Sequence, residues 1–256
     1  MSRAYVMVAP NGARLSKADH AALPLTLPEV VQTARDCHAA GADAIHLHVR
    51  DQSGAHTLDP GLYRETLAHL ASDLPAMDIQ ITTEAVGRFS VADQLACLTE
   101  LNPAWASLAV REMARDPVLA TRLYAQADDK GTRLQHILYD AEDLKLLQSW
   151  QKTGRVHAGQ NDVLFVLGRY TDGLVSDPQA IAPLIKGLHP GTPWMLCAFG
   201  PTEHACLVQA ARLGGDVRVG FENSQTAADG TLWRDNAASV AALMSELGQA
   251  SGAACA

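Results

Sequence analysis

The chain has 256 residues, is 48% hydrophobic and carries a formal net charge of −8. That length admits one large domain or two small ones, the apolar share supports a substantial core, and an acidic balance with no basic run argues against nucleic acid or an anionic membrane surface as a partner. No apolar run reaches the roughly 18 residues of a spanning helix, no signal-peptide core precedes the first strand, and the five cysteines (37, 97, 197, 206 and 255) lack Cys-x-x-Cys spacing, which predicts free thiols in a reducing cytoplasm.

In chain order, β-rich runs near 4–9, 43–49, 78–84, 105–110, 134–139, 162–167, 193–199 and 216–222 alternate with helical patterns. The helices are expected near 28–40, 60–73, 91–101, 117–128, 141–153, 178–187, 202–213 and 235–248, with a frayed tail at 250–256. Eight βα units in this length predict a closed (β/α)8 TIM barrel, one domain over 1–256. A doubly wound open sheet would want a Gly-rich turn after the first strand, and Pro10-Asn-Gly-Ala-Arg14 is not one. Pro28, Ser90 and Asp177-Pro178 mark helix starts. The segment 11–27, with Arg14, Lys17 and His20, is long for a βα loop and reads as a lid or binding loop.

The second strand, Gly41-Ala-Asp-Ala-Ile-His-Leu-His-Val-Arg-Asp51, organises the chemistry. Side chains alternate along a strand, so Ile45, Leu47 and Val49 share one face and Ala44, His46 and His48 the other. Two imidazoles at i and i+2 suit zinc or a related divalent ion; the bland alternative is a pair of hydrogen-bonded core histidines. On the third strand Gln80, Thr82 and Glu84 point inward; the fourth offers Ser107 and then Arg111. The fifth leaves Tyr139 or Asp140 open, because its phase is ambiguous. On the eighth, Val217, Val219 and Phe221 are expected to face the helices, leaving Arg218, Gly220 and Glu222 inward. Barrel closure sets that strand one removed from the second, so Glu222 can complete a two-His, one-carboxylate set with an open position; its alternative is a salt bridge to Arg218. Arg14, Arg88 and Arg169 follow strand ends and suit a substrate carrying carboxylate or phosphate. His136, His189 and His204 are expected to be structural.

Ala9-Pro-Asn-Gly-Ala13, His46-Leu-His-Val-Arg-Asp51, Phe165-Val-Leu-Gly168 and Arg218-Val-Gly-Phe-Glu222 resemble, in order and spacing, the β-keto acid cleavage enzymes, typified by the 3-keto-5-aminohexanoate cleavage enzyme. The resemblance implies a TIM barrel, a homo-oligomer, a divalent metal (typically zinc), and conversion of a β-keto acid and acetyl-CoA to acetoacetate and a new acyl-CoA. It implies His46, His48 and Glu222 as metal ligands and Arg218 as a catalytic arginine, with Thr82 and Ser107 as hydroxyl-keeping replacements of pocket residues. Asn11, Arg14, Arg88 and Asn223 are the residues expected to hold substrate. Two departures stand out: Arg14 replaces a Glu of the aminohexanoate enzyme, and Asn223 replaces an Asp. Asn cannot act as a base, so Glu84 is the expected proton acceptor. The rival readings are a zinc-dependent hydrolase on the same barrel, and a barrel that binds metal and keto acid without turnover.

Overall fold

A computed structural model describes residues 3–253. In chain order its strands are β1 (Val6–Val8), β2 (Ala44–Leu47), β3 (Val49–Arg50), β4 (His56–Thr57), β5 (Asp78–Thr82), β6 (Trp105–Ala109), β7 (Arg133–Leu138), β8 (Asp162–Leu167), β9 (Trp194–Ala198) and β10 (Asp216–Val219). Eight of them close a parallel barrel in the order β1-β10-β9-β8-β7-β6-β5-β2, while β3 and β4 form a small antiparallel hairpin directly after β2. The helices are α1 (Leu27–Ala39), α2 (Pro60–Asp73), α3 (Val91–Leu101), α4 (Val110–Met113), α5 (Pro117–Lys130), α6 (Ala141–Lys152), α7 (Ile181–Ile185), α8 (Glu203–Arg212) and α9 (Asn236–Ala253). The expected TIM barrel is the observed fold.

Strand alternation sorts the core into two layers. Val6, Val8, Ile45, Leu47, Ile81, Leu108, Val217 and Val219 pack outward against the helices; Met7, Ala44, Trp105, Ile137, Leu164, Met195 and Cys197 fill the barrel. Full burial of one such aliphatic side chain is worth roughly 1.5–3 kcal/mol. A one-residue slip of any strand would exchange these two sets, so the register is firmly specified. Acids punctuate the strand-to-helix turns: Asp59, Asp116 and Asp140 accept from backbone N–H groups in the first turns of α2, α5 and α6, satisfying donors that a helix start leaves open. Asp140 is thereby committed as a helix cap.

Three segments differ from expectation. The helix expected over 178–187 is a 3-10 turn, Pro178–Ala180, followed by the short α7; Pro183 has no N–H to continue a helix begun at 178. The last helix extends past 248 to Ala253, and the end of the expected tail, with Cys255, lies outside the described residues. The eighth barrel strand stops at Val219. Gly220 turns the chain there at φ +136°, and a Cβ on it would lie 2.5 Å from the Ala9 carbonyl oxygen. Only glycine fits that approach. Phe221 consequently does not face the helices but packs on His20 of the first loop, ring centroids 4.4 Å apart. Cys37, Cys97, Cys197 and Cys206 are buried and free. Among the described residues no helix is long and apolar enough to cross a membrane.

Candidate metal and active site

β2 delivers His46, and the next inward position, one residue past the strand, delivers His48. Their Nε2 atoms lie 3.1 Å apart. Glu222 Oε2 approaches them at 3.7 and 3.5 Å. One donor atom from each of the three falls within 4.8 Å of the others. Gly12 makes room for this: a Cβ on it would meet Glu222 Cγ at 2.6 Å, so the first loop can close over the carboxylate only with glycine there. Arg50 ties that loop down by donating to the carbonyls of Gly12 and Leu15 at 2.6 and 3.1 Å.

The electrostatics favour a metal-ready state. Burial, followed by the charge of Arg218, holds the His46 imidazole well below its usual pKa, hence neutral. Burial alone would raise the Glu222 carboxyl, but the neighbouring Arg218 charge, the foremost of the opposing causes, helps hold it well below the carboxylate range. Glu222 Oε2 nevertheless has no hydrogen-bond partner, nor has His48 Nδ1. A buried carboxylate oxygen without a donor is costly, and two imidazole nitrogens plus that oxygen are the donor set of a catalytic divalent site with an open position. The residues fit the metal that the sequence resemblance implies.

Arg218 lies beneath the ligands, fully buried, its Nη2 3.3 Å from Cys197 Sγ and 3.5 Å from both Glu222 Oε1 and Asn223 Oδ1. The salt bridge weighed as the alternative for Glu222 therefore exists alongside the ligand geometry. Arg218 Nε and Nη1 remain unpaired. Asn223 donates to the Arg218 carbonyl at 3.0 Å and to Glu203 Oε1 at 3.1 Å. Burial pushes the Glu203 carboxyl well above its ordinary range.

An inner cavity of about 20 Å³, little more than a water's space, is lined by His46, Thr82, Glu84, Tyr139, Arg218 and Glu222 among others. It shares Arg169, Phe199 and Glu222 with an outer vestibule of about 320 Å³ formed by the first loop and the loops after β8, β9 and β10. Asn11, Arg14 and Asn223 line the vestibule. Arg14 Nη1 pairs with Glu84 Oε1 at 2.6 Å, and the Glu84 N–H donates to Thr82 Oγ1 at 3.1 Å. Of the two candidates after the fifth barrel strand, Tyr139 enters the cavity.

Three expected residues stand apart from it. Ser107 is buried with its hydroxyl unpaired, two residues before the cavity-lining Ala109. Arg88 donates to the His56 carbonyl and stacks on Phe89, outside both linings. Arg111 is held by Asp140 and Asp143.

The sequence reading missed Glu203, Glu112 and His56. Glu112 lines the inner cavity and accepts from the Ala85 N–H; His56 lies beside His48, centroids 5.0 Å apart, and bonds the Glu84 carbonyl. Glu203 has the ordinary look of an acid in a helix's first turn, and the other two follow strand ends in commonplace charged surroundings; no local pattern singles them out.

A family model described as beta-keto acid cleavage enzyme matches residues 3–254. Among curated relatives, the 3-keto-5-aminohexanoate cleavage enzyme of Fusobacterium nucleatum is 25% identical over 244 residues, covering 92% of this chain and 88% of that protein. The 3-oxoadipate:acetyl-CoA acetyltransferase of Cupriavidus necator is 26% identical over 257 residues, covering 95% and 89%. Among solved structures, the binary complex of ObcA with oxaloacetate superposes with a TM-score of 0.72 at 16% identity, over 89% of this chain. This chain spans 64% of that protein's length, and the likeness concerns the fold alone.

Proposed function

The chain belongs to the β-keto acid cleavage enzyme family, and from that premise we propose that it converts a β-keto acid and acetyl-CoA to acetoacetate and a new acyl-CoA. The observation that carries the proposal is the convergence of His46, His48 and Glu222 on one point, with Arg218 and Glu84 opening on the same small cavity. The names of the two relatives, one a cleavage enzyme and one an acetyl-CoA acetyltransferase, support it. Zinc or another divalent ion held by His46, His48 and Glu222 would polarise the substrate's carboxylate and keto oxygens as a Lewis acid.

This chain's own side chains then have distinct tasks. Glu84 takes the proton from the carbon between keto and carboxylate groups, a role that Asn223 cannot fill. That carbon bonds to the acetyl carbonyl, and CoA leaves as its thiolate. The thiolate attacks the original keto carbon, the old carbon–carbon bond breaks, and acetoacetate departs after regaining a proton while the remainder leaves as acyl-CoA. Arg218, buried beside the cavity with two unpaired nitrogens, offers donors to the oxyanions of these steps. Thr82 orients Glu84 through its backbone N–H.

Arg14 is the substrate reader. In the free protein it neutralises Glu84; a distal carboxylate on the substrate would draw the half-exposed guanidinium away and release the base. A β-keto dicarboxylate is therefore the favoured substrate class, and the 3-oxoadipate relative supports that choice.

Incubation with acetyl-CoA and a panel of β-keto acids, with CoA esters detected, tests the proposal. Formation of the matching acyl-CoA is expected. Hydrolysis that needs no acetyl-CoA would install the hydrolase reading, and tight binding without turnover the non-catalytic one.

A further inference from the structure

A chain of buried side chains connects the floor of the barrel to the metal site. At the floor, Asp162 Oδ2 accepts from Arg133 Nε at 2.9 Å and from its Nη2 at 2.8 Å. The other oxygen, Oδ1, lies 3.2 Å from Gln135 Nε2. Gln135 Oε1 lies 3.0 Å from Gln80 Nε2, and Gln80 Oε1 lies 2.6 Å from His46 Nδ1. Gln80, Gln135 and His46 are essentially without solvent exposure.

An amide can face either way, so two glutamines alone leave the direction of such a chain undetermined. A carboxylate only accepts. Asp162 therefore makes Gln135 present its NH₂ downward and its oxygen upward. Gln135 imposes the same sense on Gln80, and Gln80 Oε1 must then accept a hydrogen bond from a His46 Nδ1–H. An imidazole protonated at Nδ1 carries its lone pair on Nε2, the atom that faces His48 and Glu222.

We propose that Asp162 is a positioning residue: through Gln135 and Gln80 it selects the His46 tautomer that can bind a metal. The inference rests on the metal reading of the site and is independent of the keto-acid chemistry.

The partner of Asp162 makes the proposal sharply testable. In Asp162→Asn, Arg133 still needs an acceptor, so the new amide turns its carbonyl to the guanidinium and its NH₂ to Gln135. The relay inverts, Gln80 offers a donor to Nδ1, and His46 is driven to carry its proton on Nε2. Zinc affinity, measured by competition with a chelating dye, should fall about tenfold, the scale on which outer partners tune a ligating histidine. Arg133→Met alone leaves the acceptor in place and should bind zinc as wild type does. Arg133→Met combined with Asp162→Asn frees the amide to present its carbonyl to Gln135, and affinity should return. Nitrogen-15 NMR of the metal-free proteins should show Nδ1 protonated in wild type and in the double variant, and Nε2 in Asp162→Asn.

Should Asp162→Asn fail to fold, Gln135→Met cuts the same relay and should weaken zinc binding. Wild-type zinc affinity in the folded single variant, or no recovery in the double, overturns the proposal. If wild type itself binds no zinc, the metal reading falls, and the NMR tautomers still decide the relay: Nε2 protonation in metal-free wild type overturns it.

Discussion

The two ends of the barrel treat buried charge in opposite ways. At the floor every acid has its partner: Asp43 takes Arg3 and the Val6 N–H, Asp78 the Tyr5 hydroxyl, Asp162 Arg133 and Gln135, Asp216 the Tyr5 N–H. At the mouth Asn11 Oδ1, His48 Nδ1, Glu222 Oε2, Glu203 Oε2 and two nitrogens of Arg218 have none. The floor is not free of unpaired atoms: Trp105 Nε1, whose ring Arg133 covers, lacks a partner, as does Nε2 of His136, whose Nδ1 bonds the Asp162 carbonyl. Unmade hydrogen bonds in a dry site cost roughly 1–3 kcal/mol each, and a fold keeps them where a ligand or transition state will supply the missing partner. The floor contributes stability, the mouth spends some of it on binding, and substitutions at the two ends should separate accordingly.

The largest effect belongs to the mouth. His46→Ala should abolish zinc binding and reduce turnover to background while the melting temperature stays near wild type, because the outer core does not involve that imidazole. Zinc content and thermal melting check both halves. Retained stoichiometric zinc would break the comparison at its strongest point.

Next is Glu84→Gln. Loss of a general base lowers kcat by about 10²–10⁴, with zinc content unchanged because Glu84 is not among the clustered donors. Near-normal turnover would pass the proton to another group and leave Glu84 as no more than a partner of Arg14.

Substrate preference should respond more modestly. A substrate ammonium beside Arg14 would face repulsion of roughly 4 kcal/mol at 4 Å and an effective dielectric of 20. Arg14 is half exposed, and a quarter of that figure still gives about a fivefold bias. Comparing kcat/KM for a 5-amino and a 6-carboxy β-keto acid, wild type should prefer the carboxylate and Arg14→Glu should lose or reverse that preference. The same ratio in both proteins would show that Arg14 does not read the distal group.

These expectations divide by how much the sequence reveals. Strand period and helix caps are local properties, and they located every barrel strand and the fold. His46 and His48 were visible because two residues on one strand face need no knowledge of neighbours, and Glu222 because barrel closure fixes which strands lie near each other. What stayed hidden depends on partners distant in the chain. Asp162 looks like any acid at a strand's start until Gln135 and Arg133 are placed around it, and Phe221 departs from simple alternation because Gly220 must clear the Ala9 carbonyl. Arg88 has the right sequence position beyond a strand, yet the β3–β4 hairpin captures it through His56.

The smallest effect lies at the floor and concerns stability alone. Burial raises the Asp216 carboxyl above its ordinary value, with the neighbouring charge of Asp43 adding to it, while the Tyr5 N–H and Arg133 pull the other way. A carboxyl with a raised folded pKa binds protons more readily in the folded state than in the unfolded one. Stability therefore falls as pH rises from the ordinary carboxyl range through the raised value, and the cost is fully present at neutral pH. An asparagine at this position would keep the acceptor for the Tyr5 N–H without the charge. Asp216→Asn should accordingly be slightly stabilising at pH 7, by less than about 1 kcal/mol because solvent reaches this partly buried group. The gain should vanish as the pH drops below the ordinary carboxyl range, where wild type is protonated in both states. Activity and zinc affinity should not change. Thermal melts of the two proteins across that pH range provide the measurement; destabilisation at pH 7 would mean that the Asp216 charge itself holds the floor together, and that both ends of the barrel depend on buried charge in the same way.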